Sequence, residues 1–183
     1  MKLRIAALSG SLRKESYTTK LIKAFQKLAP EDITVDIIPI GDLPHINQDL
    51  EDDLPETVKN FHQQLEQIDG ILLATPEYNR SYSPVIKNAL DWGSRPQGKN
   101  KWAQKPAIVV GCTPYTLGAF GAQHHLRQVL VYLDVYPLQQ PEFYLTNTAE
   151  KFDNQGNLTD KETEALIKKV WESFVIYANK LQK

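Results

Sequence analysis

The stretch LRIAALSGSLRKESYTTKL, residues 3–21, is apolar up to Leu8 and then changes character. Ser9, Gly10, Ser11, Arg13, Lys14 and Ser16 bring hydroxyls, two cations and one flexible backbone position. Apolar residues then return at helical spacing, as Tyr17, Leu21, Phe25 and Leu28. Positions i, i+4, i+8 and i+11 form one stripe of a helix, which must end before Pro30. A short strand, a polar turn and an amphipathic helix make one βα unit, and the unit recurs along the chain.

Ile33 to Ile38, Gly70 to Ala74 and Ala107 to Gly111 are further short apolar runs. The last two are continuous, as expected of strands covered on both faces. Pro55 opens a second helix with Val58, Phe61, Leu65 and Ile68 as its apolar face. A third is expected from Pro84 to Trp92 and a fourth from Gly118 to Leu133. Thr159 with Glu162 predicts a capping box for a last helix carrying Leu166, Val170, Phe174 and Tyr177. A fifth strand is expected within Tyr136 to Leu145, weakened by Pro137 and Pro141. With right-handed crossovers, five such units predict an α/β fold: a flavodoxin-like, doubly wound, five-stranded parallel sheet in the order 2-1-3-4-5, helices on both faces, as one domain over residues 1–183.

Lysines and arginines number 21 against 22 acids, a net charge of -1, so no overall field favours nucleic acid or an anionic membrane. Cys112 is the single cysteine, which excludes an internal disulfide and a Cys-rich metal site and suits a reducing compartment. The N-terminal apolar core is shorter than the ~7–15 residues of a secretory h-region. No run approaches the ~20 apolar residues of a membrane span. A cytoplasmic protein is expected.

Sheets of this topology bind ligands beyond the C-terminal ends of their strands, at the switch point between strands 1 and 3. That selects the loops Ser9 to Ser16, Thr75 to Ser83 and Cys112 to Gly118. In the first, small residues let backbone N–H groups converge, hydroxyls add donors, and the following helix aims its positive end at the same spot, so a phosphate is the natural guest. The loop has neither the Gly-Lys-Ser/Thr of a Walker sequence nor three spaced glycines. On a purely structural reading Ser16 is an N-cap. The second loop leads into TPEYNRSYSPVIKNALDW, residues 75–92, where Tyr78 and Asn79 offer an aromatic face and an amide edge to a planar ligand.

GSLRKES, PEYNRS, KNALDW and HLRQVL together resemble the NADPH-dependent FMN reductase family, in particular its chromate- and quinone-reductase-like members, over nearly the whole chain. The resemblance implies FMN as cofactor and NADPH or NADH as co-substrate. Ser9, Ser11, Arg13 and Ser16 match the FMN-phosphate loop, with Leu12 and Tyr17 in the same segment and Thr18 where the family commonly has asparagine. Pro76, Glu77, Tyr78 and Asn79 match the segment along the isoalloxazine ring, and Thr113 the usual serine of the third flavin loop. Two further departures are Ser83-Pro84 in place of Pro-Gly and Tyr115 in place of glycine.

The implied activity is a ping-pong cycle in which NAD(P)H gives hydride to flavin N5, and a quinone, azo dye, free flavin or oxidised metal ion such as chromate then takes the electrons. The cofactor carries that chemistry, so no side chain is assigned as catalytic. The resemblance also implies a homodimer or homotetramer acting on a small-molecule electron acceptor. The alternative is a flavodoxin-like scaffold with weakened flavin binding that serves as a binding or assembly protein. An electron-carrying flavodoxin is disfavoured because such carriers are strongly acidic. A receiver domain is excluded because Ser9-Gly10 and Thr75-Pro76 stand where it needs acids.

His124 and His125 are adjacent on a helix and lack a partner carboxylate at i+3 or i+4, which argues against a metal. Cys112 reads as a small buried hydrophobe. Asp49, Glu51, Asp52 and Asp53 suit a helix N-terminus. Trp92, Arg95 and Trp102 flank the basic loop GSRPQGKNKWAQK, residues 93–105, and are expected to be exposed at an interface. Lys99, Lys101 and Lys105 are candidates, on charge alone, for the 2′-phosphate of NADPH.

Overall fold

The computed structural model describes residues 2–181. Strands β1 (Leu3–Ser9), β3 (Gly70–Thr75) and β4 (Pro106–Cys112) form the parallel centre of the sheet, with β2 (Ile33–Ile37) on the outer side of β1. The order is β2-β1-β3-β4-β5, as expected. The fifth position is shared by two short strands, β5 (Tyr136–Pro137) and β6 (Tyr144–Leu145), both parallel to β4. Pro137 has no N–H to give the ladder. After Leu138 donates to the Ala107 carbonyl (2.7 Å) the chain leaves the ladder, then returns where Thr113 N–H donates to the Leu145 carbonyl (3.0 Å).

Alternation along the strands builds two cores. Leu3, Ile5 and Ala7 of β1 pack with Phe25, Trp171 and Phe174, under helices α1 (Tyr17–Lys27) and α5 (Lys161–Leu181). Ala6 and Leu8 face the other way, toward Phe61, Trp92 and Leu126 of α2 (Glu56–Leu65), α3 (Pro84–Gly93) and α4 (Phe120–Tyr132). The central strands β1, β3 and β4 thus spend both their faces on apolar burial, the condition for a parallel sheet covered on both sides. Among the described residues no helix is long and apolar enough to cross a membrane.

Local chemistry fixes where the helices begin. Ser16 Oγ accepts the Thr19 N–H (3.2 Å) at the start of α1, and Ser83 Oγ accepts the Ile86 N–H (3.3 Å) at the start of α3. Pro84 follows at the first helical position, so the Ser83-Pro84 departure makes a capped start. A β-carbon on Gly10 would lie 2.7 Å from Ser83 Oγ and 2.8 Å from Pro76 Cδ. Only glycine lets the loops after β1 and β3 approach so closely.

The cap of α5 differs from the expected capping box. Asp160, not Thr159, receives the Thr163 N–H (2.9 Å), while the Thr159 hydroxyl donates to the Lys151 carbonyl (3.2 Å). A carboxylate suits the positive helix end better than a hydroxyl. The Thr163 hydroxyl and Lys151 hold its pKa at about 2.

The loop before β4 also corrects the sequence reading. Trp92 and Trp102 are fully buried, donating their indole N–H groups to the Pro44 (2.7 Å) and Leu90 (2.9 Å) carbonyls. Arg95 pairs with Glu51 and Lys101 with Glu66, and Lys105 donates to the Ile68 carbonyl (2.7 Å). Residue 105 immediately precedes β4, so these lysines sit at the N-terminal end of the sheet, opposite the three loops expected to bind a ligand. Indole burial outweighs exposure at this loop, and Arg95, Lys101 and Lys105 are answered within the chain. Of the acidic patch, Glu51 serves Arg95 and Asp53 pairs with Lys59 (3.1 Å), while Pro55 holds the N-cap position of α2 and gives it no side-chain cap.

Candidate active site

The three loops chosen from topology converge beyond β1, β3 and β4. A cavity of about 240 Å³ lies between them. Its walls are Ser11, Arg13, Ser16, Tyr17 and Thr18 from the first loop, Pro76, Glu77 and Tyr78 from the second, and Thr113 from the third. Asn79 belongs to an adjoining cavity of about 340 Å³ that shares Glu77, Thr113 and Tyr115 with the first. Two expected residues stand apart from both cavities. Ser9 lies beneath the floor, and the exposed Leu12 side chain lies beside Gly41.

The floor is a chain of hydroxyls. Ser9 Oγ is 2.9 Å from both Thr18 Oγ1 and Thr19 Oγ1, and Thr18 Oγ1 is 2.8 Å from Ser16 Oγ. These contacts tie the end of β1 to the first turn of α1, with Ser16 and Thr18 both buried. Thr18 thereby fills the place of an amide with a hydroxyl that is bonded on two sides. The amides of Tyr17 and Thr18, in the first turn of α1, have no acceptor within the helix. Ser16 satisfies only the next one, from Thr19. Two N–H groups, the positive helix end and Arg13, which makes no ion pair among the described residues, are therefore available to an anion.

The other half of the cleft is shaped by Glu77. Its carboxylate is mostly buried, accepts the Ala122 N–H (3.2 Å) in the first turn of α4 and accepts from Arg80 Nη1 (2.9 Å). Tyr78 and Ser81 exchange both backbone hydrogen bonds (2.9 Å each), with Asn79 at φ 50° and Arg80 at φ 64°. This is a two-residue type I′ turn. The left-handed conformation costs a residue with a β-carbon roughly 1–2 kcal/mol. Across the cleft, Thr113 Oγ1 accepts the Tyr115 N–H (3.2 Å). Gly118 and Ala119 follow at φ 57° and 60°.

Tyr115 is 75% exposed, so its ring adds to the rim and leaves the cleft open. With Leu12, Tyr78, Leu117 and Phe120 it gives this end of the sheet an apolar border. Cys112 contributes to the inner wall, and burial pushes its thiol up to about 12, so it stays protonated. His125 Nδ1 lies 3.3 Å from Ser81 Oγ, and His124 packs edge-on against Phe120. Sequence reasoning missed Arg80, Leu117 and Ala119. An Asn-Arg pair is not a usual type I′ signal, and nothing in the sequence marks Ala119 as left-handed.

Donors at one end and an apolar-bordered slot at the other suit a phosphate ester carrying a planar ring, and the comparisons agree. Residues 3–150 match the profile of the NADPH-dependent FMN reductases. The chain belongs to that family. It is 47% identical over 158 residues to a quinone reductase of Pseudomonas putida, covering 86% of this chain and 85% of the relative. It is 40% identical to a 2-hydroxy-1,4-benzoquinone reductase of a Burkholderia species, covering 97% of each. Among solved structures, the flavoenzyme NAD(P)H:(acceptor) oxidoreductase of Paracoccus denitrificans superposes with a TM-score of 0.91 at 41% identity, over 97% of this chain and 98% of that one. The protein is an NAD(P)H-dependent flavoenzyme oxidoreductase of flavodoxin-like fold, with FMN as its cofactor. The donor set fits FMN, and each departure has a place that leaves the cleft intact: Thr18 in the floor, Ser83 as a helix cap, Tyr115 at the rim.

Proposed function

We propose that this enzyme, a single domain, transfers two electrons from NAD(P)H to a quinone in the cleft beyond β1 and β3. The observation that carries the reading is the division of that cleft into an anion-binding half and an apolar-bordered slot. Ser11, Arg13, Tyr17 and Thr18 hold the FMN phosphate, over a floor fixed by Ser9 and Ser16. The backbone of Pro76 to Asn79, with Thr113, lies along the ring, and Leu12 belongs to the rim. Bound FMN supplies a site that accepts hydride and returns two electrons.

The chain's own task is to bind, orient and exclude water. Glu77 keeps its charge directed into α4 and Arg80, which leaves the Pro76 to Tyr78 segment free to edge a planar ring. Apolar residues around the slot favour a flat carbonyl ring such as a quinone, and relatives 40–47% identical are named for quinone reduction. Azo dyes, free flavin and oxidised metal ions such as chromate take electrons by the same route. Steady-state kinetics with NADPH and 1,4-benzoquinone test the cycle: parallel double-reciprocal lines are expected, and intersecting lines contradict it.

A homo-oligomer is part of the same reading. Helix α4 exposes Val131 and Tyr132 at its C-terminal end, beside the polar His125 and Gln128, and large apolar side chains left in the open are what an assembly covers. A monomeric mass in sedimentation at micromolar concentration contradicts this. The lone buried cysteine accords with a reducing cytoplasm.

A further inference from the structure

Arg80 is costly where it stands. It is the second left-handed residue of the type I′ turn, a position that favours glycine, and its side chain is 74% exposed beside Glu77. The pair answers a Glu77 carboxylate that is itself only 11% exposed, but a cation need not be left-handed to do so. A left-handed residue that carries a β-carbon is a reason to look for a ligand. Arg80 lines the cavity of about 340 Å³ that adjoins the cleft, together with Asn79, Tyr115 and Leu117. Among the described residues Glu77 is the only acid in that lining, and its carboxylate is already committed to the Ala122 amide and Arg80. One guanidinium nitrogen is used, so most of its five donors face the cavity or solvent.

We propose that this second cavity seats an anionic group of the substrate, with Arg80 as its counter-charge and Glu77 as the positioning residue that fixes the guanidinium at the mouth. The inference rests on the quinone-reductase reading. The shared ligand chemistry is a delocalised oxyanion, which a planar guanidinium engages by two parallel hydrogen bonds. It has two sources: the ionised oxygen of a hydroxyquinone, or the 2′-phosphate of NADPH. The lysines of the 93–105 loop are not competitors, because they lie at the opposite end of the sheet.

FMN-loaded wild type, Arg80→Gln and Arg80→Gly proteins distinguish the sources by two ratios. The first is kcat/KM for 2-hydroxy-1,4-naphthoquinone over that for 1,4-naphthoquinone, both with NADH. The second is the affinity for NADP+ over NAD+, read by calorimetry without turnover. Loss of a charge-assisted contact is expected to lower at least one ratio about tenfold in both variants. A fall in the first assigns the anion to the acceptor, and a fall in the second assigns it to the reductant. Glycine suits the left-handed position better than arginine, so a ratio lost in Arg80→Gly cannot come from a damaged turn. The proposal is overturned if neither ratio moves, or if a ratio falls in Arg80→Gln and not in Arg80→Gly. Wild-type turnover of NADH with 1,4-naphthoquinone, which lack both anionic groups, checks the underlying reading separately.

Discussion

The two ends of the parallel sheet are built from similar residue types and reach opposite results. At the N-terminal end, Trp92, Trp102, Lys101 and Lys105 bring aromatic area and positive charge, and every one is satisfied inside the chain. At the C-terminal end, Arg13 has no ion-pair partner among the described residues, and Tyr115 and Leu117 stand exposed. Basic and aromatic composition therefore does not mark the site in this molecule. Direction along the strands does, because only the C-terminal end collects three loops and the positive ends of helices.

The largest expected effect breaks the buried end. Trp102 is fully buried, and Gly93 packs so closely on its indole that no β-carbon fits between them. Trp102→Ala is expected to cost about 3–5 kcal/mol, a fall of roughly 6–20 °C in Tm. Calorimetry of the apoprotein measures it. A fall under ~1 kcal/mol would mean that this end is not the structural one.

The next effect belongs to the open end and reverses the pattern. Arg13→Ala is expected to weaken FMN binding about tenfold through loss of a charge-assisted contact. The Tm of the apoprotein should be unchanged, since the exposed side chain holds nothing in the fold. An unchanged FMN dissociation constant would remove Arg13 from the anion-binding half.

The smallest effect lies away from both ends, at the cap of α5. Asp160→Ala is expected to cost about 1 kcal/mol at pH 7. The Asp160 carboxylate has its folded pKa lowered from 3.8 to about 2, so its stabilisation is complete above 3.8 and is lost as pH falls through about 2. Denaturation curves of wild type and variant should separate at pH 7 and converge near pH 2. A gap that persists in acid would assign the effect to something other than the charged cap.

The sheet order and both helical layers were legible because the apolar runs and 3.6-residue stripes alternate cleanly from Leu3 to Tyr177. The three loops picked out by topology do meet: nine residues named from the sequence line one cavity, and Asn79 lines the next. What escaped was set by competition between neighbours. Thr159 and Asp160 are adjacent candidates for one cap, and the carboxylate wins on charge. Trp92 and Trp102 flank a basic loop, yet indole burial against Leu90 and Pro44 decides their place. Pro137 and Pro141 signalled a weak fifth strand, and the observed outcome is two short strands with a gap. Asn79-Arg80 carried no glycine to announce its turn, which is also why Arg80 was overlooked.

An open end built for FMN should hold the flavin where NAD(P)H can reduce it. Titration of the purified apoprotein with FMN, followed by flavin fluorescence and the visible spectrum, tests it most directly when NADPH is then added without oxygen. Saturable quenching at stoichiometric FMN and prompt bleaching by NADPH are predicted. Fluorescence that stays at the level of free FMN, with no bleaching, would contradict the account.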